Sequence, residues 1–205
     1  MRTSDSIDIV YNYIKQQIVS KGIFPGNRLI EEDIARKTGV SRISVRGALA
    51  KLENEGYVES SPNRSACLVT PSREEMQHVR DMRLLLELEA ARLAIDNITE
   101  EGIAVMEQKV EECKLFIEEF NVSEYVIVNR ELHWEIIGAC GNPYIEKFLN
   151  EIYNKYAIYM MFFDNSEIGT AIESHTAILE AVKKRDIKAL EEALKQDFYG
   201  IDYIK

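Results

Sequence analysis

The first 70 residues alternate between apolar stripes at helical spacing and short turn sequences. Residues 5–20 carry apolar side chains three or four positions apart, which predicts an amphipathic helix. A short helix is predicted over 31–37, and a third over 41–55. The connection between these last two contains Gly39, which can adopt a positive φ. Two short helices joined by such a turn predict a helix-turn-helix.

Two strand-like segments follow the third predicted helix. Residues 57–60 and 66–69 have the composition of short strands, and residues 61–65 have that of a turn. A hairpin directly after a helix-turn-helix predicts the wing of a winged helix.

The third predicted helix has an apolar face and a basic face. Arg42 and Arg46 lie one turn apart, away from the apolar stripe. Guanidinium groups near the start of such a helix can bind guanine edges or phosphates, and the tip of the hairpin can enter a groove. The alternative is that the two arginines are solvated surface charges. The residues expected at a DNA surface are Arg42, Ser44, Arg46, Asn63 and Arg64.

Beyond Pro71 and Ser72 the apolar spacing is helical to the end of the chain. Six helices are predicted at 73–97, 99–120, 122–140, 143–164, 167–184 and 186–203. Helices without intervening strands favour an antiparallel bundle. The predicted fold class is mostly α, with a winged helix-turn-helix domain at 1–70 followed by an all-α helical domain at 73–205.

The distribution of charge fits these two domains. The formal net charge is −10, but residues 1–72 hold ten Lys and Arg against eight Asp and Glu, a net of +2. Residues 73–205 hold fifteen against 27, a net of −12. A basic first domain on an acidic body is typical of a DNA-binding head. Because the sequence has neither an apolar signal core nor a long apolar run, a cytoplasmic protein without a membrane partner is expected.

The first domain resembles the GntR family of bacterial transcription regulators. The resemblance rests on Pro25–Ala35, Gly39–Leu49 and Leu52–Val58. Departures from the family pattern are Ile43-Ser44 in place of Thr-Pro, Gly47 in place of Glu and Ser65 in place of a wing glycine. The resemblance implies a homodimer that docks winged helices on double-stranded operator DNA, but it does not transfer a base preference.

The second domain resembles the ligand-sensing FCD domain of the FadR branch, in the six-helix form of the vanillate-regulator subtype. The resemblance rests on Arg83–Glu87, Leu132-His133, Gly141-Asn142 and Glu173–His175. It implies a divalent metal bound by an Asp and a His one turn apart and by two later histidines.

The matching metal-binding positions carry an altered set of residues. They are Asn129, His133, His175 and Asp197, so that Asn replaces the Asp and Asp replaces the last His. Two imidazoles, one carboxylate and an amide oxygen can still bind Zn²⁺, Ni²⁺ or Mn²⁺. Because Asn is a poor ligand for such metals, a site of low affinity and a polar pocket without metal both stay open.

The resemblance also indicates residues for an organic ligand. The arginine that matches Arg83 faces the cavity of related domains, where it can bind a ligand carboxylate in bidentate geometry. From the residues alone, Arg83 and Glu87 could also form a surface ion pair one helical turn apart. The aromatic and Met-rich run 153–163 is typical of a core or a dimer interface, and Tyr156 and Met160 are expected at the cavity.

These patterns predict a transcription regulator, not an enzyme, that binds DNA and senses a small carboxylate effector. Repression released by the ligand is the expected response. One alternative is a metal-dependent enzyme that uses His133, His175 and Asp197, although no general base or nucleophile is identifiable beside them. The other is a sensor of metal or ligand that does not bind DNA.

Overall fold

The computed structural model describes residues 3–60, 65–163 and 171–199, and within them the chain is mainly helical. The first part comprises α1 (Thr3–Val19), α2 (Glu31–Thr38), α3 (Arg42–Asn54), β1 (Val58–Glu59) and β2 (Cys67–Leu68). The second part comprises α4 (Arg73–Ala94), α5 (Glu100–Glu118), α6 (Val122–Ala139), α7 (Pro143–Phe162), α8 (Ala171–Lys183) and α9 (Ile187–Tyr199). The predicted fold class is confirmed.

Local signals in the sequence explain the helix-turn-helix. Gly39 has a φ of +71° and its backbone N–H bonds to the carbonyl of Ala35, so that it ends α2 in the left-handed conformation glycine tolerates. Two residues later, Ser41 caps α3 by accepting a hydrogen bond from the backbone N–H of Ser44. These two devices set the tight turn between α2 and α3.

The head, which we define as α1–α3 with the hairpin, has its own apolar core. The strands pair antiparallel, with Val58 opposite Leu68. The core joins all the elements of the head through Val10, Ile14, Ile34, Val45, Leu52, Val58 and Leu68. Because the apolar stripe of α3 is used in this core, its other face is left exposed.

The bundle, which we define as α4–α9, has a larger core centred on α4 and α6. Serine, threonine and asparagine side chains cap four of its helices, at Ser72, Thr99, Asn121 and Asn142. Helix α4 contacts α6, α7 and α9, which makes it an inner helix. Polar side chains on its inward face must therefore find partners within the bundle.

Helix α7 contributes to both cores. Its first half packs in the bundle through Leu149 and Tyr153, and Ile158 is fully buried in the core of the head. The backbone of α7 also approaches the second residue after α3: a Cβ on Gly56 would lie 3.3 Å from the carbonyl oxygen of Glu151. Head and bundle are therefore packed together along this helix.

Some sequence predictions fall outside the described residues. These are the tip of the hairpin, with Asn63 and Arg64, the predicted break between α7 and α8 with the predicted start of the next helix at 167, and the predicted end of the last helix at 203. No helix among the described residues is both long and apolar enough to span a membrane.

Candidate functional site

The exposed face of α3 presents two arginines beside one carboxylate. Glu31, the first residue of α2, accepts hydrogen bonds from Arg46 Nε at 2.9 Å through both carboxylate oxygens. Its Oε2 lies 3.8 Å from Arg42 Nε. The hydrogen bond with Glu31 raises the pKa of Arg46. Glu31 holds both guanidinium groups on one side of α3, each with its side chain more than half exposed.

Ser44, which was expected at the same surface, lies inside the head. Only 3% of the residue is exposed. Its hydroxyl is 3.0 Å from Ser41 Oγ, and its backbone N–H donates to the same oxygen at 3.2 Å. Ser44 therefore belongs to the cap of α3 and is not available to a base in this arrangement.

A buried ion pair on α4 forms one side of a polar cluster inside the bundle. Arg83 Nε donates to Glu87 Oε1 at 2.6 Å, and Arg83 Nη2 donates to the hydroxyl of Tyr153 at 2.8 Å. That hydroxyl donates to Glu87 Oε1 at 2.5 Å. Because both members of the pair are almost fully buried, its interpretation as a surface ion pair is wrong.

The other side of the cluster brings together groups from α6, α8 and α9. Asp197 Oδ2 lies 3.3 Å from His133 Nε2, and Asp197 Oδ1 lies 3.2 Å from His175 Nε2. Neither pair has the alignment of a hydrogen bond, so these two imidazole nitrogens are buried without a hydrogen-bond partner among the described residues. By contrast, His133 Nδ1 is hydrogen-bonded to Glu87 Oε2 at 2.8 Å.

The charges in this cluster are determined by mutual contacts that outweigh burial. Burial alone would raise the pKa of Glu87, but Arg83 and His133 lower it to about 2. Burial alone would lower the pKa of His133, but Glu87 and Asp197 raise it to about 9. The pKa of Asp197 is held well below its usual value by His175 and His133, again against burial. Two ionised carboxylates thus lie beside Arg83 and a protonated His133, so a metal ion at this place would take the position of the imidazole proton.

The donor set fits a divalent metal ion. With Nδ1–H of His133 donated to Glu87, the lone pair on Nε2 faces the carboxylate of Asp197, an arrangement that needs a cation or a proton between them. A metal about 2.1 Å from each donor separates neighbouring donors by roughly 3.0–3.4 Å, and both measured distances agree with that spacing. The three ligand atoms lie within 4.8 Å of one another. Asn129, one turn before His133 on α6, is buried at the adjoining cavity.

A cavity adjoins the cluster on the side of α7. Tyr156 and Met160, expected there from the sequence, both line it together with Arg83, Asn129 and Asp197. The guanidinium carbon of Arg83 lies 4.3 Å from the ring centroid of Tyr153, 5.1 Å from that of Tyr156 and 4.3 Å from that of Phe198. Two further arginines, Arg80 and Arg130, also face this space. The cavity therefore combines aromatic walls with three cationic groups.

Two members of the cluster were not among the predicted site residues. Glu87 lies one turn after Arg83 in an otherwise apolar segment, and that setting was a signal that the pair could be buried. Tyr153 was grouped with the aromatic run, because nothing in its local sequence indicates that its hydroxyl bonds to residues about 70 positions away.

Two protein families match this chain, one over the head and the other over the bundle. Residues 7–68 match the family described as bacterial regulatory proteins, gntR family. Residues 78–199, more than half of the chain, match the FCD domain family.

Individual relatives match along almost the whole chain. The HTH-type transcriptional repressor RspR of Escherichia coli is 27% identical over 196 residues, which cover 94% of this chain and 85% of RspR. YdhC of Bacillus subtilis is described as an uncharacterized HTH-type transcriptional regulator. It is 24% identical over 191 residues, which cover 92% of this chain and 85% of YdhC. The solved structure of E. coli McbR/YncC has the same fold, with a TM-score of 0.79 at 22% identity over 94% of this chain and 93% of that one.

Proposed function

The chain belongs to the GntR family of bacterial regulatory proteins, in the branch that carries an FCD domain, and we propose that it is a transcriptional regulator whose affinity for operator DNA responds to a small carboxylate bound in the bundle. The family and the relatives are transcriptional regulators and not enzymes. The observation that carries the proposal is the position of α7, which lines the buried cavity with Tyr156 and packs Ile158 into the core of the head.

The proposal assigns separate tasks to the two parts of the chain. Residues 1–70 bind DNA, and residues 73–205 bind the effector and pair with a second subunit. In support, the two parts have separate apolar cores, apart from Ile158 of α7 in the core of the head, and basic charge is concentrated in the first part.

Arg42 and Arg46 contact the DNA in this proposal. Their exposure on the first two turns of α3 suits insertion of this helix into the major groove, where arginine can bind a guanine edge in bidentate geometry. Glu31 bonds to Nε of Arg46, which leaves the terminal nitrogens of that side chain for a base or a phosphate. Ser44 positions the helix through its cap, and Asn63 and Arg64 are assigned to the hairpin tip from the sequence alone.

Arg83 is the proposed anchor for the effector carboxylate. Its contacts with Glu87 and Tyr153 use two of its five N–H donors and hold the guanidinium between aromatic rings at the edge of the cavity. A rigid guanidinium with remaining donors suits bidentate binding of a carboxylate. Tyr156 and Met160 line this cavity, and because its volume is only about 30 Å³, binding of a small carboxylate requires them to move apart.

His133, His175 and Asp197 are the residues that would hold a divalent metal, with Asn129 as a fourth donor. When bound, the ion supplies positive charge that offsets the carboxylates of Glu87 and Asp197 and favours an anionic effector. Glu87 orients the imidazole of His133 through Nδ1, and Ser174 donates a hydrogen bond of 2.7 Å to Asp197 Oδ1. Zn²⁺, Ni²⁺ and Mn²⁺ all accept such donors.

The regulator acts as a homodimer in this proposal, so that two heads meet two half-sites of a palindromic operator about one helical turn apart. In support, α4 and α7, which contact each other, expose large apolar side chains on the outside of the bundle: Met82, Leu85, Tyr144 and Phe148. Effector binding then changes the spacing of the heads, and a coupling of about 1–3 kcal/mol suffices for a 5- to 150-fold change in affinity.

Native mass spectrometry combined with DNA binding tests this proposal. The full-length protein is purified without added ligand, and its mass is measured before and after mild denaturation to identify any metal or small acid that it retains. Binding to the DNA upstream of its own gene is then measured with that molecule present and absent. The proposal predicts a change of at least fivefold in affinity for the wild-type protein and no change for Arg83→Ala. An unchanged affinity for the wild type would contradict it.

A further inference from the structure

Ile43 is an apolar residue that lies outside the core of the head. It is 75% exposed, whereas the next two residues, Ser44 and Val45, are buried. One exposed apolar residue is common on a protein surface and needs no explanation in itself. What distinguishes Ile43 is its position on α3.

Ile43 lies in the first turn of α3, beside both exposed arginines. It directly follows Arg42, and it shares a helical stripe with Arg46 and Ala50, three and seven positions later, which are also exposed. In a winged helix or helix-turn-helix, the first turns of this helix are the part that reaches base edges in the major groove. When α3 lies in the major groove, the side chain of Ile43 is therefore expected to contact bases.

We propose that Ile43 contacts the 5-methyl group of a thymine and makes one T·A position in each operator half-site specific. The thymine methyl is the one apolar group that the four bases present in the major groove, so it is the partner that an isoleucine can distinguish. Arg42 and Arg46 supply hydrogen bonds, which suit guanine or phosphate but not a methyl group. The inference rests on the proposed function as a DNA-binding regulator.

The shape of the side chain suits this contact. Isoleucine is branched at Cβ, and in a helix one χ1 rotamer is strongly preferred. Ile43 is therefore held in nearly one orientation before DNA arrives, and little conformational entropy is lost when the methyl group covers it. Since 75% of the residue is exposed, its replacement is expected to leave the fold intact.

Replacement of thymine by deoxyuridine isolates the methyl group experimentally. Binding sequences are first selected from a random duplex library with the full-length wild-type protein. Each conserved thymine of the selected duplex is then changed to deoxyuridine, which keeps every hydrogen-bonding group and removes only the methyl. Affinities are measured by fluorescence anisotropy for the wild type and Ile43→Ala. The matched control is Ile9→Ala, which truncates another exposed isoleucine of the head, on α1.

The inference predicts one thymine per half-site whose methyl matters. Its removal lowers the affinity of the wild type and of Ile9→Ala about fourfold per half-site, as expected for one buried methyl group. The affinity of Ile43→Ala is the same for both duplexes. A selected site without such a thymine, or an equal loss for Ile43→Ala, would overturn the role of Ile43 and leave the DNA-binding function in place. A library without enriched sequences would overturn both.

Discussion

Asn154 of α7 donates a hydrogen bond of 2.8 Å from Nδ2 to the backbone carbonyl oxygen of Glu55, at the C-terminal end of α3. Its Oδ1 accepts a hydrogen bond of 2.7 Å from Arg130 Nη1, and Arg130 lines the cavity. The preceding residue, Tyr153, belongs to the buried polar cluster. The helix that contacts DNA in our proposal is therefore connected to the cavity through one side chain of α7.

We expect Asn154→Ala to loosen the end of α3 without disturbing the bundle. The substitution removes a partner of the Glu55 carbonyl, so the amides of residues 52–58 should exchange with deuterium faster than in the wild type. Hydrogen exchange measured by mass spectrometry checks this. Asn150→Ala is the matched control, because Asn150 accepts a 2.6 Å hydrogen bond from Arg130 Nη2 that stays within the bundle. Equal exchange over residues 52–58 in both variants would refute a specific connection through Asn154.

Arg46→Ala should lower the affinity for the selected operator roughly tenfold to a hundredfold and relax the preference at one base pair. The physical reason is the loss of a bidentate contact that Glu31 has oriented. Anisotropy titrations on the operator and its single-base variants measure both effects. A loss that is the same for every sequence would instead assign Arg46 to a phosphate. Arg92→Ala, which removes an exposed arginine of the bundle, should bind like the wild type.

His133→Ala should abolish stoichiometric metal binding. It removes the only donor of the set whose second ring nitrogen is fixed by a carboxylate, through Glu87. Elemental analysis after equilibration with Zn²⁺, Ni²⁺ or Mn²⁺ and gel filtration gives the metal content. His78→Ala is the matched control, since this third histidine is exposed on α4. If His133→Ala retained the metal content of the control, the assigned site would be wrong.

Glu87→Gln should reduce the free energy of unfolding by about 3 kcal/mol, the lower end of the range for removing one partner of a buried ion pair. The lower end is appropriate because Asp197 Oδ2, 3.9 Å from Arg83 Nη2, remains as a second carboxylate. Urea unfolding measures the change. Glu89→Gln, on the exposed side of the same helix, should leave the stability essentially unaltered. A stability equal to that of the control would show that the pair does not stabilise the bundle.

Local signals were sufficient to predict most of the helices. Gly39 and Ser41 act through contacts within four residues of the chain, so their effect on α2 and α3 is visible in the sequence. The predicted ends of α1–α7 lie within three residues of the observed ends for the same reason. The burial of Ser44 was also predictable, since it lies four positions before Ala48 and eight before Leu52 on the apolar stripe of the helix.

Contacts between distant residues could not be predicted in this way. Asn154 and Glu55 are 99 positions apart, and nothing local distinguishes Asn154 from Asn150 one turn earlier. The convergence of His133, His175 and Asp197 was inferred only because a family resemblance mapped these positions. Whether Arg83 and Glu87 form a surface or a buried pair depends on the packing of α4 between its neighbours, which spacing along one helix does not determine.

The most direct test of the account is the recovery of specific DNA from a sheared genomic library. Full-length protein and the double variant Arg42→Ala, Arg46→Ala are each mixed with the fragments at about 150 mM salt, and the retained DNA is sequenced. Our account predicts that the wild type enriches a small set of fragments that share an inverted repeat with half-sites about one helical turn apart, and that the double variant does not. Retained DNA that matches the input library, or the same enrichment by the double variant, would contradict it.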